Sequence, residues 1–215
     1  MTFPRIAASV LAADFGRIHD DLSAMVAAGV DLFHWDIMDG HFVPNISFGP
    51  AVVGALRGHF KQEFDVHLLV SNPVQWIAPV ADAGADNISF HIEAVTDALP
   101  VIEKIKRHGI KAGLAINPDT TLDTIDPAVF EALDRVIIMT VHPGFGGQTF
   151  IDQSMKVQML RQRYPQLDIM IDGGINRDTA PGVVQAGATT LVSGSALFGA
   201  SDKQGFVTAL RKGTH

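Results

Sequence analysis

Four residues in this sequence stand out as candidates to bind a divalent cation and move protons. They are His34 and Asp36 in 32-LFHWDIM-38, His67 in 64-FDVHLLV-70 and Asp172 in 167-LDIMIDG-173. His34 and Asp36 are two apart, so on a strand both point to one face. Leu32 shares that face, while Phe33, Trp35 and Ile37 take the other and supply the bulk that packs under helices. Two imidazoles and two carboxylates brought together suit one divalent ion, Zn²⁺ first, with Fe²⁺, Mn²⁺ or Co²⁺ as substitutes. Taken singly, each is more commonly a hydrogen-bonded core residue. The metal reading rests on all four reaching one place.

A cation flanked by Asp36 and Asp172, from different strands, suits removing a proton beside a carbonyl and returning one to the opposite face. The aspartates would exchange roles as base and acid. The cation would polarise the carbonyl and hold the enediolate. With an ordinary pKa of about 4, an aspartate is a weak base for a ketone α-proton, so most of the barrier must fall to the cation. Met38 and Met139, at the ends of their strands, could roof the intermediate with polarizable sulfur or simply fill core. No lysine stands at the C-terminal end of a strand, so a Schiff-base route is not expected.

Glycine-rich turns follow the last three strand candidates: 142-HPGFGGQTF-150, 172-DGGIN-176 and 193-SGSALFG-199. Exposed backbone N–H groups at helix starts favour anions, and glycine lets a phosphate approach closely. Gly146, Gly147, Gly174, Gly194 and Ser195 are therefore candidate phosphate contacts. Any one such turn could equally be a tight connection that needs glycine for its own geometry. Three on neighbouring strands favour a small phosphorylated ligand with its reactive end at the metal.

These residues need elements to hold them. Strand candidates are 5-RIAASVL-11, 32-LFHWDIM-38, 64-FDVHLLV-70, 86-DNISFH-91, 110-IKAGLAIN-117, 135-RVIIMTV-141, 167-LDIMIDG-173 and 189-TTLVSG-194. Helical patterns fall between them, at 16–28, 48–60, 73–83, 97–108, 121–133, 150–163, 177–186 and 202–211. In AAGVDLF, DAGADNI, RHGIKAG and QAGATTL a glycine ends a helix and leads straight into a strand. Eight alternating pairs argue for a parallel sheet under helices. With no G-x-G-x-x-G after the first strand, a closed (β/α)8 barrel fits better than an open dinucleotide-binding sheet. Such a barrel puts its chemistry at the C-terminal ends of the strands. Ser9, His34, Asp36, His67, His91, Asn117, Asp172 and Ser195 all lie there, and the strand starts read as ordinary apolar or surface positions.

The bulk properties agree. A chain of 215 residues suits a single domain, expected over 1–215. A net charge of −7 argues against a nucleic-acid footprint or a basic membrane-docking face. The absence of cysteine removes thiolate chemistry and confines any metal site to His and carboxylate ligands. MTFPRIAASVLAADF shows no basic segment followed by a long apolar run, and no stretch approaches the roughly 18 apolar residues of a membrane helix. A cytoplasmic protein is expected.

The segments 34-HWDIMDGHFVPNISFGP-50, 67-HLLVSNP-73, 115-AINPDT-120, 139-MTVHPGFGGQTFI-151, 172-DGGIN-176 and 192-VSGSALF-198 closely resemble the ribulose-phosphate 3-epimerase family. The resemblance implies a metal-dependent barrel interconverting D-ribulose 5-phosphate and D-xylulose 5-phosphate. It implies one metal per subunit on His34, Asp36, His67 and Asp172, with Asp36 and Asp172 as the acid/base pair. It also implies substrate contacts at Ser9 and His67, phosphate held by Ser195 and the glycine turns (Gly144, Phe145 and Gly173 included), and a homo-oligomer, dimer or hexamer. Ala8 and Ala12 stand where the family pattern has Pro and Ser, Leu69 where the roof has a third Met, and His142 where it has Asn. None is a metal ligand or either aspartate. They bear on the sugar, for which D-allulose 6-phosphate is the second candidate. His91 and Glu93 read as a pair supporting the ligands or as a structural part.

Overall fold

Short runs of β-branched and aliphatic residues that alternate with amphipathic segments can bury both faces of a strand only inside a helix-covered parallel sheet. A computed structural model describes residues 3–212 of the chain, so residues 1, 2 and 213–215 of the expected unit lie outside the described residues. The strands are β1 (Arg5–Ser9), β2 (Leu32–Met38), β3 (Glu63–Leu69), β4 (Asn87–His91), β5 (Lys111–Ile116), β6 (Arg135–Met139), β7 (Asp168–Asp172) and β8 (Thr190–Ser193). They close in sequence order into a barrel, β8 returning to β1 with every pairing parallel. The expected (β/α)8 barrel is the observed fold.

The outer layer holds α1 (Ile18–Ala28), α2 (Pro50–Arg57), α3 (Ile77–Asp82), α4 (Leu99–Arg107), α5 (Pro127–Ala132), α6 (Ser154–Arg163), α7 (Ala180–Ala186), α8 (Ser195–Phe198) and α9 (Lys203–Lys212). Phe33, Trp35 and Ile37 face this layer and join Leu22, Met25 and Val53 in the main core. Gly29 closes α1 in the left-handed conformation that glycine adopts without penalty (φ 90°). Leu32 points inward with Ala7, Ala115, Ile137, Met139, Met170 and Val192.

Three expectations change in detail. The segment 121–133 breaks into a 3₁₀ turn at Leu122–Thr124 and α5, because Pro127 forces Asp126 out of helical geometry. Asp126 then caps α5 by accepting from the Ala128 N–H. The segment 73–83 likewise divides into a 3₁₀ turn at Pro73–Gln75 and α3. The four-residue α8 was not foreseen, since one turn has no periodicity to read.

The strand starts need a larger correction, because they are not ordinary surface. Arg135 opens β6, is 2% exposed, and donates to Asp65 (2.7 Å), Glu63 (2.9 Å) and Asp168 (2.8 Å). Asn87 and Ser89 of β4 are fully buried beside it, Asn87 donating to both Asp65 and Ser89. Alternation turns these side chains into the barrel, where closure brings the charges of β3, β6 and β7 together beside the polar groups of β4. Burial works against charge on both groups, but Arg135 holds the Asp65 carboxyl well below its usual range and the three carboxylates keep Arg135 protonated.

Candidate active site

The inward residues of β2 and β3 pair in register: His34 lies across from Asp65 and Asp36 across from His67. Asp172 arrives at the end of β7. His34, Asp36, His67 and Asp172 each present a donor atom, all within 4.8 Å of one another. His34 Nε2 is 3.2 Å from Asp36 Oδ1 and 3.5 Å from Asp172 Oδ2. His67 Nδ1 is 3.2 Å from Asp36 Oδ1 and 3.7 Å from Asp172 Oδ2. The two histidines thus offer opposite ring nitrogens to the same point.

Each imidazole's other nitrogen is occupied. His34 Nδ1 lies 2.6 Å from Asp65 Oδ2, so it donates to the carboxylate that Arg135 holds. His67 Nε2 lies 2.9 Å from His91 Nε2, and His91 Nδ1 lies 3.1 Å from Glu93 Oε2. Burial disfavours charge on His34, yet Asp36 and Asp172 outweigh it and hold its pKa well above the ordinary value. Burial opposes charge on Asp36 too, and the two histidines reverse that to keep its carboxyl well below its usual range. His91 is buried without an equal compensating charge and is pushed down to about 4. Two carboxylate oxygens and two imidazole nitrogens, with His34 giving up its Nε2 proton to an incoming ion, form the donor set that hard-to-borderline divalent ions prefer.

Asp36 and Asp172 reach the wall of a cavity of about 930 Å³ at the C-terminal mouth. Ser9, Gly144, Phe145, Gly146, Gly147, Gly173, Gly174, Gly194 and Ser195 line it as well. His67 does not; it is fully buried and only supports that wall. Ser9 Oγ donates to Asp36 Oδ2 at 3.0 Å, which orients the carboxylate. Met38, Leu69 and Met139 also line the cavity, but they are not one patch. Met38 and Leu69 pack with Val43, whereas Met139 belongs to the barrel interior. Ala12 and Leu69 sit in the wall, while the exposed His142 does not.

The sequence reading missed Asp65, although it stands two before His67 and so shares its inward face. Asn176 and Lys203 also line the cavity. Asn176 lay in a quoted turn, but nothing local distinguished Lys203. Asn45 Nδ2 donates to the Gly144 carbonyl at 2.8 Å, tying the loop after β2 to the glycine turn after β6.

A closed parallel barrel with a metal-competent His/Asp cluster at its mouth, beside glycine-lined walls, is the architecture of a (β/α)8 enzyme. Comparison with known proteins agrees and is more specific. The model of the ribulose-phosphate 3 epimerase family matches residues 5–198. The cytoplasmic isoform of ribulose-phosphate 3-epimerase from Oryza sativa subsp. japonica is 43% identical over 97% of this chain and 93% of its own. Ribulose-phosphate 3-epimerase from Bacillus subtilis (strain 168) is 42% identical over 96% of this chain and 98% of its own. The chain belongs to this family. 3-Hexulose-6-phosphate synthase from Salmonella typhimurium superposes with a TM-score of 0.72 at 15% identity, covering 97% of both chains, a likeness of fold alone. Among the described residues no helix is long and apolar enough to cross a membrane.

Proposed function

We propose that this chain is a ribulose-phosphate 3-epimerase, moving a proton at C3 to interconvert D-ribulose 5-phosphate and D-xylulose 5-phosphate. The observation that carries the reading is the pair Asp36 and Asp172, which reach one cavity from β2 and β7 with two imidazole nitrogens between them. His34 Nε2, His67 Nδ1 and one oxygen of each aspartate would hold one divalent ion, Zn²⁺ or a borderline substitute. When bound, that ion supplies positive charge against the anion left by proton loss. The chain's residues do the rest. One aspartate takes the C3 proton from one face and the other returns a proton to the opposite face. Ser9 keeps Asp36 oriented. Met38, Leu69 and Met139 keep water away. Gly146, Gly147, Gly174, Gly194 and Ser195 offer backbone N–H groups to the phosphate, with Gly144, Phe145 and Gly173 completing that wall. The names of the relatives favour the pentulose, and no feature of the wall favours allulose 6-phosphate. A homo-oligomer, dimer or hexamer, belongs to the same reading and is checked by sedimentation.

Asp172→Asn tests it. In deuterated buffer the metal-loaded parent should exchange the C3 hydrogen of ribulose 5-phosphate, whereas the variant should lose exchange and turnover by about 10²–10⁴-fold. A parent that binds the sugar phosphate without exchange would be a binding protein. A variant that turns over at the parent rate would remove Asp172 from its role. Running the parent on allulose 6-phosphate in parallel, after metal analysis by mass spectrometry, assigns the sugar.

A further inference from the structure

Behind the ligand cluster stand the buried His91 and the partly exposed Glu93, neither used by the chemistry above. Their hydrogen bonds permit one assignment of protons. Glu93 Oε1 accepts from the Asn117 backbone N–H at 2.9 Å and from the Thr120 hydroxyl, so the carboxylate is already held in its acceptor form. Its other oxygen, Oε2, faces His91 Nδ1 at 3.1 Å, so that nitrogen must carry the ring's proton. A neutral His91 then has only a lone pair on Nε2. That lone pair faces His67 Nε2 at 2.9 Å, where two lone pairs would repel, so His67 Nε2 must be the donor. A neutral His67 is left with its lone pair on Nδ1, the atom aimed at Asp36, Asp172 and His34 Nε2. Packing leaves the pair little freedom. The two imidazoles lie nearly parallel with centroids 4.9 Å apart, and the Phe42 ring sits 4.7 Å from His91.

We propose that Glu93 and His91 are positioning residues: through a one-way chain of hydrogen bonds they fix the tautomer of His67, so that Nδ1 is the nitrogen presented to a divalent cation. The proposal rests on the metal reading above and adds the device that prepares one of its ligands. It has a consequence that simple packing would not produce. In Glu93→Gln the shape is kept, but the carboxamide has one oxygen and one NH₂. The Asn117 N–H can only donate and claims the oxygen, so the NH₂ turns to His91. His91 Nδ1 must then accept, its proton moves to Nε2, and His67 is driven to carry its own proton on Nδ1, against the cation.

The test uses Zn²⁺ alone as probe, in competition with a chromogenic chelator, on the full chain and on Glu93→Gln. The affinity of the variant should fall by about 10- to 100-fold, the range seen when the partner of a ligating histidine is lost. Nitrogen-15 spectra of the zinc-loaded parent should show the His91 proton on Nδ1 and the His67 proton on Nε2. This measurement needs no variant and decides the matter if Glu93→Gln does not fold. Unchanged zinc affinity in a folded Glu93→Gln, or a His91 proton found on Nε2 in the zinc-loaded parent, overturns the proposal and leaves the metal reading intact. A parent that takes up no zinc overturns the metal reading and this one with it.

Discussion

Arg135→Met should unfold the barrel more readily than its position at a strand start suggests. The guanidinium is 2% exposed and serves three carboxylates, whose side chains are 0% (Asp65), 14% (Glu63) and 25% (Asp168) exposed. Methionine nearly matches the volume but leaves Asp65 as a buried anion with only Asn87 and His34 to answer it. Breaking a buried ion pair from one side costs about 3–5 kcal/mol. The cost is not tripled, because Glu63 and Asp168 can still reach water and Arg5 stays 2.9 Å from Glu63. For a chain of this size each kcal/mol moves Tm by about 2–4 °C, so a fall of roughly 6–20 °C is expected. The assay is calorimetry on metal-free parent, Arg135→Met, Asp65→Asn and the double variant. Asp65→Asn removes the stranded charge, so the double variant should lose less than the sum of the singles, with a coupling of about 1–3 kcal/mol. Arg135→Lys should recover only a fraction, since an ammonium cannot fork to three partners. A loss below about 1 kcal/mol in Arg135→Met, or strict additivity, would show that the floor network contributes little.

Two other outcomes follow from particular contacts. Burial opposes charge on Asp39, but N–H groups of Ser71, His41 and Phe42 and the Ser71 hydroxyl hold its pKa at about 2 against an ordinary 3.8. The stabilisation is therefore present above the ordinary value and lost as pH falls through about 2. Because this carboxylate is largely solvated, Asp39→Asn should cost only about 1 kcal/mol in urea unfolding at neutral pH, with the gap to the parent closing in acid. Gly173 has φ 117°, and a Cβ there would stand 2.5 Å from Val141 Cγ2 and 2.9 Å from the Val141 nitrogen. Gly173→Ala should cost roughly 2–4 kcal/mol in the same assay. It should also lower kcat by displacing the adjacent Asp172; parental kcat would show that this turn is compliant.

What the sequence revealed, and what it hid, divides along a physical line. His34, Asp36 and the inward face of β2 were legible because alternation is local and the outward residues, Phe33, Trp35 and Ile37, are unmistakably core. The mouth was legible because polar residues at strand ends have few innocent explanations in a barrel. The floor was not. Glu63, Asp65, Arg135 and Asp168 are the residue types almost always found at the surface, and each stands beside a helix-to-strand turn. Only closure shows that their inward side chains meet, and closure is a property of eight strands together. Asp65 was the exception: its two-residue spacing from His67 carried the same signal as His34 and Asp36. Pro127 likewise announced the break before α5.

The interior that results is lopsided, and the lopsidedness separates two tasks. Polar residues run down β2, β3 and β4, from His91, His67 and Asp36 at the mouth through His34 to Asp65, Ser89 and Asn87, all buried. Much of the opposite interior is apolar: Ala115, Ile137, Met139, Met170 and Val192. Within the polar half the histidines are anchored from behind, His34 by Asp65 and His67 by His91, each through the nitrogen that faces away from the cluster. Of the two aspartates, Asp172 is held more lightly. Asp36 takes the Ser9 hydroxyl and lies 3.2 Å from each imidazole, whereas Asp172 lies 3.5 and 3.7 Å from them with its side chain 14% exposed. On the proposed function that difference has a purpose. Ligands that only hold an ion gain from rigid second partners. Carboxylates that must also gain and lose a proton each turnover would be slowed by strong donors that fix them in the anionic form. The anchored imidazoles can keep the ion in place while the two aspartates, which reach the cavity, take turns with the proton, Asp172 being the less encumbered of the two.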